Sequence, residues 1–301
     1  MPAVTLATCA QLPTGDEDGL LLTEALSALG ADWQWAAWND PSVDWNMAGL
    51  VVVRSTWDYT ADREAYLGWA DRLRRVENPP AVLRWNSDKI YLRDLAEAGV
   101  PTVPTSWVAP GQILGLPLGE VVVKPSVGAG SMGAGRFDTR RPGVVESARR
   151  HAQALHDAGR VVLVQPYLAD VDEHGETALI YVDGAFSHAI GKGAMLPGDT
   201  VYNVDVNLSS ALFLSERITA RVPSDDELAV GNQVLDVLRR RFGRELLYTR
   251  VDLLPASAGP AVVEVELVEP SLFLPFADTA AADRLAEVLV RSPDAGHGSR
   301  G

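Results

Sequence analysis

The densest group of potentially reactive residues follows Lys124. A strand-like run, Val121–Lys124, ends at this lysine, and four glycines occur in the eight residues that start at Gly128. Because glycine has no Cβ, such a backbone approaches a ligand closely and turns its N–H groups towards phosphate. An ammonium group at the strand end would meet the same phosphates. The sequence therefore predicts a phosphate site contacted by Lys124, Ser126, Gly128, Gly130, Ser131 and Gly133.

Two other interpretations of this glycine-rich loop remain open. Gly128–Gly133 also matches the dinucleotide fingerprint G-x-G-x-x-G, but that motif opens a helix after a first strand. The residues from Gly133 to Phe137 are a poor helix start, and the Gly-Lys-Ser/Thr ending of a P-loop is absent from the sequence. A flexible loop that binds nothing is the second alternative.

Charged side chains also recur on two strand patterns near the C-terminus. Side chains alternate along a strand, so Arg250 and Asp252 share one face, as do Glu264 and Glu266. An antiparallel hairpin around the turn at Pro255–Pro260 places Asp252 opposite Glu264, and Arg250 near Glu266. Three carboxylates and one guanidinium group then meet on one face.

Three carboxylates on an otherwise apolar hairpin are unfavourable unless cations neutralise them. Arg250 supplies one positive charge, and Mg2+ binds a few carboxylates together with substrate phosphates. The pattern therefore predicts a Mg2+ site at Asp252, Glu264 and Glu266. The alternative is a solvated sheet face whose acidic residues only maintain solubility.

The composition limits the classes of partner. A chain of 301 residues is long enough for one large domain or two or three small ones. Its residues are 47% hydrophobic and 22% charged. A net charge of −14 argues against nucleic acid, whereas a small anion such as ATP needs only a few cations. The sequence has no apolar membrane span and no secretory signal, and its single Cys9 has no intramolecular partner. We therefore expect a cytoplasmic protein without a membrane partner, for which a homodimer stays an option.

The first half of the chain is predicted to contain two units. Alternating strand and helix patterns in residues 1–80 predict an α/β layer with a parallel sheet. Residues 81–165 are predicted to hold a linker helix that Lys89 opens, followed by a small central domain with the glycine-rich loop. The overall class is α/β with α+β elements.

The second half is predicted to be one domain and a tail. Residues 166–293 have strand patterns typical of an antiparallel sheet, with Asp183-Gly184 as a hairpin turn. Residues 193–221 lack periodicity and predict a long loop over a site. Residues 294–301, rich in glycine, are predicted to be disordered.

In this order, the features resemble the ATP-grasp superfamily over about residues 1–290. An α/β unit comes first, then a lysine at a linker helix, a second lysine before a glycine-rich loop, a hinge strand and an acidic strand pair. The resemblance implies an ATP-grasp architecture with an N-terminal α/β pre-domain, a small central domain and a C-terminal ATP-grasp domain. It also implies ATP and Mg2+ as cofactors.

The resemblance assigns roles to individual residues. Lys89 and Lys124 would contact the ATP phosphates, and the carboxylates of the hairpin would bind Mg2+. In glutathione-synthetase-like members an Asn usually follows the metal-binding Glu by two residues, whereas this chain has Glu266 there. Lys192 and Arg250 would be the catalytic cations. The hinge and ribose contacts would come from Gln165, Pro166, Tyr167, Leu168 and Asp172.

Two shorter strings, Arg54–Tyr59 and Arg84–Lys89, resemble the O-ureido-serine cyclo-ligases, the enzymes that close D-cycloserine. The first string follows a predicted strand at its carboxyl end, where α/β sheets place ligands. A capping turn around a core Trp57 is the alternative. The predicted contacts of a small amino-acid substrate are Arg54, Ser55, Thr56, Asp58, Glu269 and Ser271.

The function that this resemblance implies is ATP-dependent ligation of a carboxylate to a nitrogen through an acyl phosphate. The expected reaction is the intramolecular cyclisation of O-ureido-D-serine to D-cycloserine, a step of antibiotic biosynthesis. Two alternatives stay open: an intermolecular amino-acid or dipeptide ligase, and a small-molecule kinase.

Overall fold

A computed structural model describes residues 3–196, 198 and 217–291. Across these residues the strands form three sheets. The first sheet is parallel, has the order β2-β1-β3-β4, and comprises β1 (Val4–Thr8), β2 (Trp33–Ala37), β3 (Leu50–Ser55) and β4 (Val76–Glu77). Every residue of β1 and β3 is buried, as expected for parallel strands covered on both faces. The accompanying helices are α1 (Gly19–Ala28), α2 (Arg63–Ala70) and α3 (Pro80–Asn86).

The second sheet is antiparallel and carries the glycine-rich loop. Its order is β5-β8-β6-β7, and the loop joins β6 to β7. The apolar face of one helix, α5, packs on it through Ala148, Ala152 and Leu155. The elements of this part are α4 (Tyr91–Glu97), β5 (Ser106–Val108), β6 (Glu120–Pro125), β7 (Gly135–Asp138), α5 (Val144–Asp157) and β8 (Val162–Pro166).

The third sheet is antiparallel in the order β11-β10-β9-β12-β13. The turn between β9 and β10 has positive φ at both Asp183 and Gly184, which confirms the predicted hairpin. Helix α7 begins with a capping box between Ser224 and Glu227 and ends at Gly243 in the left-handed conformation. The elements are α6 (Val171–His174), β9 (Glu176–Val182), β10 (Ala185–Lys192), β11 (Ile218–Arg221), α7 (Asp225–Phe242), β12 (Tyr248–Leu254) and β13 (Ala261–Glu266).

The last helix, α8 (Ala281–Arg291), returns to the first sheet. Leu285 and Leu289 share one hydrophobic core with Leu22 and Leu26 of α1 and with residues of β9 and β10. The first and third sheets are therefore joined by a common core, and the segment between β13 and α8 is held against both.

Several predicted elements differ from the structure. A proline opens α3 at Pro80, and Lys89 lies between α3 and α4 rather than at a helix start. In the predicted loop 193–221, Ile218–Arg221 pairs with β10 as a strand. The remainder of that loop, at 197 and 199–216, and the predicted tail 294–301 lie outside the described residues. Within the described part of the chain, the structure has no helix long and apolar enough to cross a membrane.

Candidate active site

The acidic strand pair has the predicted register. Asp252 pairs with Glu264 and Arg250 pairs with Glu266 between β12 and β13. One ligand oxygen from each of Asp252, Glu264 and Glu266 lies within 4.8 Å of the others. These hard oxygen donors in such a small volume fit Mg2+, which prefers carboxylate ligands.

Two cations hold the most buried carboxylate of this trio. Arg250 donates to both oxygens of Asp252, with Nε–Oδ1 and Nη2–Oδ2 distances of 2.9 Å. The ammonium group of Lys192 lies 3.0 Å from Oδ2. The Asp252 side chain is 1% exposed. Burial opposes its ionisation, but the charges of Arg250 and Lys192 outweigh burial and hold its pKa well below the usual range.

The pKa values of the two glutamates are shifted in opposite directions. Lys89 lies 3.0 Å from Glu264, and burial of Glu264 is outweighed by Lys89 and Lys124, which lower its pKa. Glu266 contacts Arg250, yet burial, reinforced by the neighbouring carboxylates, raises its pKa to about 7. Arg250, Lys192 and Lys89 already offset the charge of the trio, so the case for a metal ion rests on the three closely spaced ligand oxygens.

Lys124 is the least engaged cation of the site. It lies near the end of β6, and among the described residues no hydrogen bond or ion pair reaches its ammonium group. Burial lowers its pKa, although Glu264 partly opposes this. Lys124 lines a cavity of about 160 Å3 together with Lys89, Lys192 and Glu264. An anion in this cavity would meet several ammonium groups.

The glycine-rich loop borders that cavity through only part of its length. Gly128, Gly130 and Ser131 line it, and Gly130 and Ser131 have positive φ angles of 57° and 60°. Ser126 is buried and lies outside the lining. A Cβ at Gly133 would lie 3.2–3.3 Å from Pro125 and Leu155 atoms, so this glycine serves close packing. The structure therefore places the predicted ligand contacts Ser126 and Gly133 outside the cavity lining.

The predicted hinge lines the same cavity. The lining includes Gln165, Pro166, Tyr167 and Leu168. Asp172, the predicted ribose contact, lies outside the lining and accepts a hydrogen bond of 2.5 Å from the hydroxyl of Tyr167.

Arg136, which the sequence did not single out, stacks over the Tyr167 ring at 3.4 Å. It also donates to Glu120 and to the backbone oxygen of Leu196. A lone arginine within a short strand gives no sequence signal that it stacks on the hinge tyrosine.

A second and larger cavity of about 670 Å3 adjoins the first. Lys89, Lys192 and Glu264 line both cavities, so the acidic strand pair lies where they meet. Arg250 and Glu266 line the larger cavity but not the smaller one. The wall of the larger cavity also includes Asp16, Trp57, Tyr59, Glu269, Ser271 and Phe273.

The predicted substrate loop lies behind this wall. The Arg54 side chain is 1% exposed, pairs with Asp18 at 3.1 Å and lies over the Tyr248 ring. Asp58 accepts a hydrogen bond of 2.6 Å from Trp38. Like Ser55 and Thr56, these residues are buried and outside the cavity lining. The structure thus places Arg54, Ser55, Thr56 and Asp58 away from the surface of this cavity.

Instead, the loop positions the segment that forms the wall. The indole N–H of Trp57 donates to the backbone oxygen of Glu269 at 3.0 Å. Asp18, which Arg54 holds, accepts hydrogen bonds from the backbone N–H groups of Leu272 and Leu274 at 2.6 and 2.7 Å. Glu269 and Ser271 do line the cavity, and burial raises the pKa of Glu269 well above its usual value.

The chain matches known proteins over nearly its full length. The family model for the N-terminal domain of D-cycloserine synthetase DcsG matches residues 4–81. The cycloserine biosynthesis protein DcsG of Streptomyces lavendulae is 37% identical over 294 residues, covering 91% of this chain and 94% of that protein. The chain belongs to the DcsG family.

Solved structures agree with this assignment. The crystal structure of D-cycloserine synthetase DcsG has a TM-score of 0.83 and 36% identity, and covers 95% of this chain and 98% of that one. D-alanine–D-alanine ligase from Bacillus anthracis, complexed with ATP, has a TM-score of 0.62 at 13% identity and covers 95% of both chains, a likeness of fold alone. The ATP-grasp fold is confirmed, and the chain is, like DcsG, an ATP-dependent ligase.

Proposed function

We propose that the protein uses ATP and Mg2+ to cyclise O-ureido-D-serine to D-cycloserine. The observation that carries this proposal is the meeting of two cavities at the acidic strand pair. A carboxylic acid in the larger cavity would lie beside the phosphates of a nucleotide in the smaller one. Membership in the DcsG family supports the choice of substrate.

The smaller cavity suits ATP. The hinge backbone, Gln165–Leu168, would read adenine, and Lys89, Lys124 and Lys192 would meet the phosphates. Lys124 supports this arrangement most strongly, because a half-buried ammonium group without a partner among the described residues gains most from an arriving anion. The loop glycines Gly128 and Gly130 let backbone N–H groups approach the same phosphates.

The carboxylate trio, Asp252, Glu264 and Glu266, would hold Mg2+. The metal ion would offset the negative charge that develops during phosphoryl transfer. Arg250 and Lys192 already lie against the trio and would offset charge on the transferred group from the protein side.

The chemistry then proceeds in three steps. An oxygen of the substrate carboxylate bonds to the γ-phosphorus of ATP, and ADP leaves with the electron pair of the broken bond. The oxygen-bound side-chain nitrogen of the same substrate then attacks the acyl carbon, a C–N bond forms, and inorganic phosphate leaves while the nitrogen loses its proton. Water then adds to the carbamoyl carbon, the bond between this carbon and the ring nitrogen breaks, and the nitrogen takes a proton while carbamic acid leaves and decomposes to CO2 and ammonia. Ring closure needs no second substrate, because the attacking nitrogen and the activated carboxylate belong to the same molecule.

A panel of candidate acids, assayed for ADP release and product mass, tests this proposal. With O-ureido-D-serine and ATP alone, we expect one ADP and one phosphate per molecule consumed, and a cyclic product that lacks the carbamoyl group. Strict dependence on an added amine would favour the dipeptide-ligase alternative. A product heavier by a phosphoryl group would favour the kinase, and no ADP release with this substrate would overturn the proposal.

A further inference from the structure

The larger cavity is lined by an acid that the proposed carboxylate activation does not use. Glu269 lines this cavity and is 7% exposed. Among the described residues, its carboxylate has no hydrogen bond and no ion pair. A buried carboxylate without donors is unfavourable, so it gains most from a ligand that supplies N–H groups.

A second acid, Asp16, lines the same cavity. Its Oδ2 accepts a hydrogen bond from Ser271 at 3.0 Å, whereas its Oδ1 is buried without a partner among the described residues. Burial and the neighbouring Asp18 raise the pKa of Asp16 to about 7, against the opposing charge of Arg54. The carboxyl group thus keeps an unused acceptor at the cavity wall.

The protein fixes both acids in place. Trp57 holds the backbone of Glu269, and Arg250 donates to the backbone oxygen of Ser271 at 3.1 Å. The guanidinium of Arg250 is already engaged with Asp252, and that of Arg54 with Asp18. Among the described residues, neither guanidinium group forms an ion pair with Glu269 or Asp16, so the two acids keep acceptor capacity for a positively charged ligand.

The larger cavity therefore offers partners of both charges. Lys89, Lys192 and Arg250 line it together with the acids Glu269 and Asp16. An amino acid has a carboxylate and an ammonium group on one carbon, so separate contacts with each group would fix its direction in the cavity.

We propose that Glu269, supported by Asp16, receives the α-ammonium group of the substrate and thereby points its carboxylate at the nucleotide. This assignment rests on the proposed function and adds a specificity-determining contact to it. Charge-assisted hydrogen bonds of this kind change binding by roughly 10- to 100-fold. The enzyme should therefore discriminate strongly against an acid of the same shape that lacks the amine.

The test compares O-ureido-D-serine with its desamino analogue, 3-(ureidooxy)propionate, in ADP-release assays at saturating ATP. The variants are Glu269→Gln and Asp16→Asn, and the matched control is Glu24→Gln, on the exposed face of α1. Glu269→Gln should lower kcat/KM for the amino acid roughly 10- to 100-fold and leave the desamino analogue within about twofold. Asp16→Asn should act in the same direction, and the control should match wild type.

The outcomes test the ammonium assignment and the proposed function separately. An equal loss with both substrates, or no loss in either variant, overturns the ammonium assignment and leaves the ligase proposal standing. Absence of turnover of the amino acid by wild type overturns the proposed function and the assignment with it. Thermal unfolding of each variant shows that it is folded, and Asp16→Asn gives an independent result where Glu269→Gln does not fold.

Discussion

Replacing Asp252 by asparagine and Glu266 by glutamine should change the stability of the metal-free protein in opposite directions. Asp252 is almost fully buried and accepts three hydrogen bonds from two cations. Removing one partner of a buried ion pair costs about 3–5 kcal/mol, because the remaining charges lose their compensation. Asp252→Asn should therefore destabilise the protein by this amount, although it also removes one charge from an acidic cluster.

Replacing Glu266 should change the stability in the opposite direction. Its folded pKa of about 7 lies above the ordinary value of 4.5, so the folded protein binds more protons than the unfolded chain between these pH values. Stability therefore falls as the pH rises through this window, and the ionised Glu266 costs about 3 kcal/mol above it. Glu266→Gln removes this cost but weakens a contact with Arg250. We expect a net gain of about 2 kcal/mol at pH 8 and almost none at pH 5.

Asp252 has a lowered pKa, so its stabilisation is present above the unfolded value of about 3.9 and is lost only as the pH falls through the lower folded value. Asp252→Asn should consequently be destabilised at both pH 5 and pH 8. Urea unfolding followed by tryptophan fluorescence in EDTA measures both variants, with Glu24→Gln as the control. A fully stable Asp252→Asn, or a Glu266→Gln that loses several kcal/mol at pH 8, would refute this reasoning.

Three further substitutions separate the roles of the two cavities. Lys124→Ala should raise the Kd of ATP at least tenfold. It should not lower the melting temperature, because the ammonium group of Lys124 has no ion pair among the described residues. A nucleotide titration that gives near-wild-type affinity would contradict this. Trp57→Phe removes the hydrogen bond to Glu269 and should raise the KM of the amino acid several-fold while the KM of ATP stays constant; equal changes in both would show that Trp57 acts on the whole fold. Arg54→Met leaves Asp18 buried without its cation and should cost about 3–5 kcal/mol in urea unfolding, so a variant as stable as wild type would argue against the positioning role.

The C-terminal hairpin could be predicted because its information is local. Alternation along 248–254 and 261–266, with a turn between them, places Asp252 opposite Glu264 without further knowledge. The capping box of α7 and the Asp183-Gly184 turn likewise depend on residues that are close in sequence. Pro80 did not by itself predict the start of α3, because a proline can end an extended segment or occupy the first turn of a helix.

The wall of the larger cavity could not be predicted from local patterns. The Arg54 loop does follow a strand at its carboxyl end, where a ligand is expected. In the structure, the segment around Leu272, more than 200 residues later, covers that position and binds Asp18. Contacts at such separation depend on how the first and third sheets pack, so the sequence could not show that Arg54 and Asp58 lie behind the cavity wall while Glu269 lines the cavity.

The central claim, activation of the substrate's own carboxylate by ATP, is tested most directly with oxygen-18. Substrate labelled at both carboxylate oxygens is converted with unlabelled ATP, and the released phosphate is analysed by mass. Because the acyl phosphate breaks between its carbon and the bridging oxygen, we expect one labelled oxygen in each phosphate released. Phosphate without label, formed together with product, would contradict an acyl phosphate and the ligase mechanism that depends on it.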